Sequence, residues 1–409
     1  TYSEQKWKDA AAAAKAVIDM AEKYPETRLK LYRNDENGDG EFNPYKSCVD
    51  VQLKAWNCEV IWARTEAQYD DTFQRSWMVH NPPGPHCLGG VSPTLRLVDA
   101  FLMKNGKPIH AAGSNYVEKG FATKGGDNWN PNRYDTSTED GRKGIIADIR
   151  NSTAWGHWEG DWNMFCNREP RFYASVAFNG SVWNMSSLNG KDGAASPNQQ
   201  VWYYRGTSEG YNGGNRIFTG IGIKKYVNPY DAKYQNSFYY RQKTETAIRY
   251  AEILLIYAEA LNELDGSYDI PSWDGSAMYT LRRDVNELKK GIQPVRIRAG
   301  VPDYTSSEYQ NKEMFRKKLK RERQIEFMGE NHRYYDLRRW KDAPQEEETL
   351  IYGCNMLMDE ARRDLFHTPV AIMSLPVRFV EKSYFWPFSH GQLQRNKRLT
   401  QNPGWTYYD

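Results

Sequence analysis

The segment TETAIRYAEILLIYAEALNELDG, residues 244–266, carries a helical period along its length. Ala247, Ala251, Leu254, Ala258 and Leu261 fall on one stripe at spacings of three and four, and Gly266 stops it. The small residues at 247, 251 and 258 let a neighbouring helix approach closely, as stacked helical hairpins require. Outward from this segment, SAMYTLRRDVNELKK (276–290) reads as a partner helix and SSEYQNKEMFRKKLKRERQIEFMGE (306–330) as a third long one. Towards the N-terminus, Ser3 as cap and Pro25 as stop bracket an amphipathic helix containing the run Ala10 to Ala14. SPTLRLVDAFLMKNGKP (92–108) predicts another, with Ser92 as N-cap, Pro93 at the first position and Gly106 and Pro108 as terminators. CEVIWAR (58–64) fits a short strand or buried segment. Residues 113–237 differ: they are rich in Gly, Asn, Ser, Trp and Tyr and have little helical period. Long loops with short strands, such as RFYASVAFNGSVW (171–183), are expected there. The fold class is therefore mostly α, with a helical portion over 244–340 joined to a large irregular loop and short-strand insert.

A chain of 409 residues is long enough to bury a substantial core. Its formal net charge of +3 is too small to draw a polyanion by itself, so no nucleic-acid partner is expected. Fourteen Trp and 28 Tyr stand in a chain whose mean hydropathy is −0.83. So many amphipathic rings in a polar chain imply aromatic surfaces that meet water or ligand as well as a packed core. The five cysteines, Cys48, Cys58, Cys87, Cys166 and Cys354, show no zinc spacing, and their pairing is open. No apolar run reaches the length of a transmembrane helix. The chain opens directly on a helix without a signal peptide, which fits a processed or incompletely represented polypeptide.

Motifs for catalysis are not apparent. No G-x-S-x-G, H-E-x-x-H or P-loop occurs, and no carboxylate pair can be placed across a cleft from sequence alone. His80 and His86 flank the turn NPPGP without companion ligands. Asp35, Asn37 and Asp39 match the first half of a calcium loop, but the twelfth position is Lys46 where a bidentate Glu is needed. A solvated turn is the expectation, and no cofactor or metal is assigned. The basic run Arg316–Arg323 has Glu313, Glu322 and Glu326 as helical partners and reads as a solvated helix face. The clearest candidate site lies in the insert. Trp129, Trp155, Trp158, Trp162 and Trp183 fall within 55 residues. A pyranose presents a face of C–H groups that suits the negative face of an indole. Asn163, Asp161 and Arg168 stand nearby to meet its hydroxyl rim. Packing of these rings against the scaffold is the competing role for each.

Six segments in order resemble the SusD/RagB family: GGVSPTLRLVDAFLMKNGKPI, NREPRFYASVAFNGSVW, TGIGIKKYVNP, IRYAEILLIYAEALNE, RERQIEFMGENHRYYDLRRW and FWPFSHGQLQRNKRLTQNPGW. Two departures stand out. Glu169 replaces the usual Asp, and KKGIQPVRI separates Asn286 from the Arg298-Ala299-Gly300 end like an insertion. The resemblance implies a single SusD-like domain over 1–409 that lacks the usual N-terminal helical hairpins, with a helical-repeat (TPR-like) scaffold over 244–340 and the aromatic insert at 113–237. It also implies a non-enzymatic surface protein of polysaccharide utilization and nutrient uptake. Such a protein captures oligosaccharide and hands it to a SusC-like TonB-dependent transporter. It would be a lipoprotein on the outer face of the outer membrane, held by a lipid anchor that this chain does not contain. Peptide capture, as in the RagB branch, and a helical-repeat protein-interaction adaptor are the alternatives. In RERQIEFMGENHRYYDLRRW, Ile325, Phe327, Tyr334, Leu337 and Trp340 supply apolar anchors beside Glu326, Arg333 and Asp336, so that motif reads as structural.

Overall fold

The computed structural model describes residues 3–64, 91–123, 156–157, 160–181, 201–207, 209–211, 217–228, 232–234, 237–239, 241, 243–373 and 375–406. In chain order the elements begin with α1 (Glu4–Lys23), α2 (Pro44–Leu53), β1 (Val60–Arg64) and α3 (Leu95–Ala100). Then come α4 (Pro170–Ser175), β2 (Val176–Ala177), β3 (Gly222–Ile223), β4 (Ala232–Tyr234), β5 (Ser237–Tyr239), β6 (Glu245–Arg249) and α5 (Tyr250–Glu263). The hairpin β7 (Tyr268–Pro271) and β8 (Met278–Leu281) leads to α6 (Val285–Arg298), α7 (Ser306–Gln310), α8 (Lys312–Glu326), α9 (His332–Arg339) and α10 (Ala343–Glu347). The chain closes with β9 (Tyr352–Gly353), α11 (Arg363–Phe366), β10 (Val370–Ala371) and α12 (His390–Arg395). Every sheet among the described residues has two strands, all paired antiparallel, so helices supply the framework.

The helix α5 is the hub, packing against α1, α6 and α8. It is buried almost all round, and its small residues matter as the sequence suggests. A Cβ on Gly291 of α6 would come 2.5 Å from the Leu254 carbonyl oxygen and 2.8 Å from the Ala258 Cβ. The two backbones are therefore nearly in contact. Two apolar cores result. One joins α1, α5 and α6 with Tyr309, Phe315, Leu319 and Phe327. The other joins α3, α4, β2 and β3 with Ala299, Val301, Ile325 and Met328. Glu326 lies in sequence between Ile325 of one core and Phe327 of the other, where the two meet.

Several boundaries differ from the sequence reading, each for a tertiary reason. The helix at 244–266 begins only at Tyr250; residues 245–249 form β6, which pairs across the molecule with β1, and Ala247 is exposed on that strand. In 276–290, Met278–Leu281 belongs to a hairpin, and Asp284 then caps α6 by accepting from the Asn286 and Glu287 amides at 2.9 and 3.3 Å. The 92–108 helix covers only Leu95–Ala100 and is capped by Thr94 instead of Ser92. The 306–330 helix is interrupted at Asn311, whose side chain accepts from the Met314 amide and starts α8 afresh. Residues 171–175, expected as strand, are helical behind Pro170. KKGIQPVRI forms the body of α6, which carries Pro294 within it.

The half-calcium loop is organised by protein groups. Asn34, fully buried, donates to the carbonyls of Asp39 and Glu41 at 3.1 and 2.8 Å. Lys46, at the twelfth position, puts its ammonium 3.3 Å from the Asp39 carbonyl. Asp35 pairs with Arg33 and Asp39 with Lys54. The basic run also finds carboxylates: Arg316 with Glu263, Lys318 with Glu308, Lys320 with Asp342 and Arg323 with Asp336.

Candidate ligand-binding site

The aromatic insert is rooted on the scaffold by a set of short ties. The Ala122 amide donates to the Asp161 carbonyl at 2.7 Å, and the Gly160 amide donates to the Ala122 carbonyl at 2.9 Å. Phe121 bridges to Trp162, Met103 to Arg168, and β2 pairs with β3 to close the base. These ties hold residues 160–181 against the segments 103–122 and 222–223.

Of the residues proposed from sequence, three turn inward. Trp162 is 6% exposed. Its ring stacks on His367 at 4.6 Å, and Phe121 meets it edge-on at 5.1 Å. Asp161 is buried beside Gly180, where a positive φ of 98° and lack of Cβ leave room for its carboxylate. Arg168 has no exposed surface; it donates to the carbonyls of Met164, Val98 and Phe101 at 2.9, 2.6 and 2.9 Å and lies over the Phe172 ring. All of that guanidinium geometry is directed at the protein itself. Asn163 is half-buried, and its amide donates to the Lys119 carbonyl at 2.9 Å. Trp129, Trp155, Trp158 and Trp183 lie outside the described residues, as do His80, His86 and Cys87. The other four cysteines are unpaired.

His367 is a feature the sequence did not single out. It is buried against Trp162, Phe165, Tyr204 and Phe366, with Nδ1 donating to the Arg363 carbonyl at 2.8 Å. Burial pushes its pKa down to about 4, so the ring is neutral and acts as one more aromatic plate. Exposed rings occur elsewhere on the scaffold. Trp62 on β1 is 65% exposed, and Trp386 is 73% exposed with Tyr334 tilted towards it at 6.2 Å. The alternation in CEVIWAR could have signalled Trp62; nothing in the sequence around Trp386 sets it apart.

Just below the root of the insert the scaffold holds a buried ionic cluster. Arg171 pairs with Glu169, Glu322 and Glu326 at 2.7, 2.6 and 2.9 Å. Arg249 reaches Glu59, Glu326 and Glu330 at 2.5, 2.8 and 2.7 Å. Arg298 joins Glu59 to Glu326, Arg296 holds Glu322 at 2.9 Å, and Lys225 holds Glu330 at 2.6 Å. Taken as ionised, the five carboxylates and five cations balance. Burial alone would raise the Glu326 carboxyl, but Arg298, Arg249 and Arg171 outweigh it and hold it well below the usual range. Glu330 is likewise brought down to about 2 against the effect of burial by Arg249 and Lys225. Glu169 is pushed up by burial, which its Arg171 does not overcome. Among the described residues no group of His, Cys, Asp and Glu would hold a metal ion, and no helix is long and apolar enough to cross a membrane.

The family model of the SusD family matches residues 58–405, most of the chain. The chain belongs to the SusD family. Solved structures agree with this SusD-like fold. BT4246 matches with a TM-score of 0.71 at 20% identity, over 99% of this chain and 63% of that one. Selenomethionine BT4246 gives 0.68 at 21% identity, over 99% and 65%. A SusD-like protein (BF3747) from Bacteroides fragilis NCTC 9343 gives 0.60 at 21% identity, over 98% and 64%. The chain thus spans a little under two thirds of the length of these structures. No functionally curated protein matches it. The mostly helical architecture read from residues 244–340 is that of its SusD-like neighbours, and the ordered motifs from Gly89 to Trp405 fall within the span matched by the family.

Proposed function

We propose that this SusD-family chain is a non-enzymatic binding protein that captures oligosaccharide at the bacterial surface and passes it to a SusC-like TonB-dependent transporter. The observation that carries the reading is family membership over residues 58–405 in a chain with 14 Trp and 28 Tyr. Ring stacking suits a ligand with C–H faces, and a binding event of that kind needs no cofactor. Within this reading Trp129, Trp155, Trp158 and Trp183 supply the stacking surface. Trp162, Asp161 and Arg168 serve as packing and not as ligand contacts, because their side chains are enclosed by the scaffold. Asn163 is positioned at the junction, half in reach of solvent. Attachment to the outer membrane through a lipid anchor belongs to the same proposal.

Titrating intrinsic tryptophan fluorescence with soluble oligosaccharides and short peptides tests it. The expected result is a saturable change with one glycan class, weakened about tenfold, or ~1.4 kcal/mol, when Trp155 and Trp158 are both replaced by Ala. A response to peptides alone would move the protein to the RagB-like reading. Binding of neither, with transporter association intact, would leave an adaptor.

A further inference from the structure

The basic run Arg316–Arg323 divides on folding. Arg316, Lys318 and Arg323 turn to carboxylates on neighbouring helices. Lys317, Lys320, Arg321 and Gln324, at the spacings i, i+3, i+4 and i+7, line one wall of a cleft of about 600 Å³. The opposite walls come from α3 and from the α9–α10 region. They bring Arg96, Arg333 and Lys341 into the same space. Six cations therefore face three carboxylates, Asp99, Asp342 and Glu346, an excess of three positive charges in a cavity of ligand size.

The pairing inside the cleft shows where that excess lies. Arg96 and Arg333 converge on Glu346 at 2.8 and 2.9 Å, and Lys320 holds Asp342 at 2.7 Å. Lys317, Arg321 and Lys341 make no ion pair among the described residues, Lys317 lying only near enough to Glu313 to help lower its pKa; Lys341 rests on the Tyr384 ring at 3.8 Å. Three unpaired cations around one concavity focus a positive potential that the small net charge of the chain conceals. The remaining lining favours a hydroxylated occupant. Gln324 and Gln345 offer amides, and Asp99 offers a carboxylate on the α3 wall. Ala100 is the one apolar residue in the lining, which leaves nothing to receive an acyl chain or a large apolar side chain.

We infer that this cleft binds an anionic glycan, its carboxylate or sulfate groups held by Lys317, Arg321 and Lys341 and its hydroxyls by Gln324, Gln345 and Asp99. In naming a glycan the inference rests on the function proposed above, and it adds the charge class of the ligand and a second site away from the aromatic insert. Recognition here is by charge and hydrogen bonding, since no Trp, Tyr or Phe lines the cleft and His110 is its one ring.

Calorimetric titration with an oligogalacturonide, a sulfated oligosaccharide and a neutral galactose oligomer of equal length tests it. At least one acidic oligomer should bind ten or more times tighter than the neutral one and weaken at least fivefold between 50 and 300 mM salt, as about three ion contacts imply. Lys317→Ala with Arg321→Ala should reduce that affinity at least tenfold, while Lys317→Arg and Lys397→Ala, outside the cleft lining, keep it. Unchanged thermal midpoints verify the fold, and the charge-retaining variant serves if the double variant does not fold. Acidic oligomers bound no better than neutral ones, or equally by the double variant, overturn the inference while leaving glycan capture standing. Binding of no sugar at all removes both. Variant-sensitive binding of phosphatidylglycerol vesicles, with no acidic sugar bound, would assign the cleft to lipid headgroups instead.

Discussion

Glu326 shows how much a single carboxylate can hold in place. It touches Arg171, Arg249 and Arg298, three guanidinium groups on three different segments, at a site closed to water. Glu326→Gln keeps the shape and removes the charge, leaving buried cations uncompensated. The expected loss is about 3–5 kcal/mol of unfolding free energy, read from urea titration with an unchanged slope. Glu313→Gln, which removes an exposed partner of Arg316, should leave the urea midpoint nearly unchanged. An equal effect of the two would contradict the assignment of Glu326 to the core. This role was legible in the sequence as far as the motif RERQIEFMGENHRYYDLRRW alternates charge with apolar anchors. Arg168 was not legible in the same way. Its place beside Trp162 and Asn163 gave it the chemistry of a sugar-rim contact, but neighbouring residues in a loop do not reveal which way a side chain turns. Three backbone carbonyls from outside its own loop or one turn back decide that it faces inward.

At the scale of elements, the α5–α6 contact is the closest approach between long helices that a glycine permits. Gly291→Ala removes the conformational freedom of glycine, which favours the helix by about 1 kcal/mol, but sets a methyl against the Leu254 carbonyl and Ala258. Overpacking of this kind costs about 1–3 kcal/mol, so the variant should be less stable by up to ~2 kcal/mol in thermal or urea unfolding. Stabilisation would mean that the helices can separate without loss. Helix α5 was readable because its stripe of small and apolar residues is long enough to repeat. The strands were not. Residues 245–249 continue the helical stripe on paper, yet Glu245 pairs with Arg64 and Arg249 with Val60, positions more than 180 residues away in the chain. Periodicity within a window cannot register a partner that lies outside it. The caps failed for a related reason: Ser92 and Thr94 both have the right side chain, and only the local geometry selects Thr94.

For the whole molecule, buried histidine makes stability depend on pH. Unfolded histidine titrates near 6.5, whereas burial lowers His367 to about 4, so its neutral form is the one the fold accepts. That contribution is complete above about pH 6.5 and is lost as pH falls towards 4, at up to about 1.4 kcal/mol for each pH unit. Glu169, raised by burial, works in the opposite direction, so the slope itself is the useful measurement. His367→Asn should give a shallower decline in unfolding free energy between pH 6.5 and 4 than the parent chain; an identical slope would show that His367 does not titrate in that window. The ionic cluster has another consequence, in the order of synthesis. Glu59 meets Arg298 across 239 positions and Arg249 across 190. A ribosome adds about 5–20 residues each second, so Glu59 waits on the order of tens of seconds for its partners to be made. Arg171 and Arg249 wait in turn for Glu326 and Glu330. During that interval the nascent chain keeps these charges in water, and the two cores can close on each other only when the segment through Glu330 has emerged.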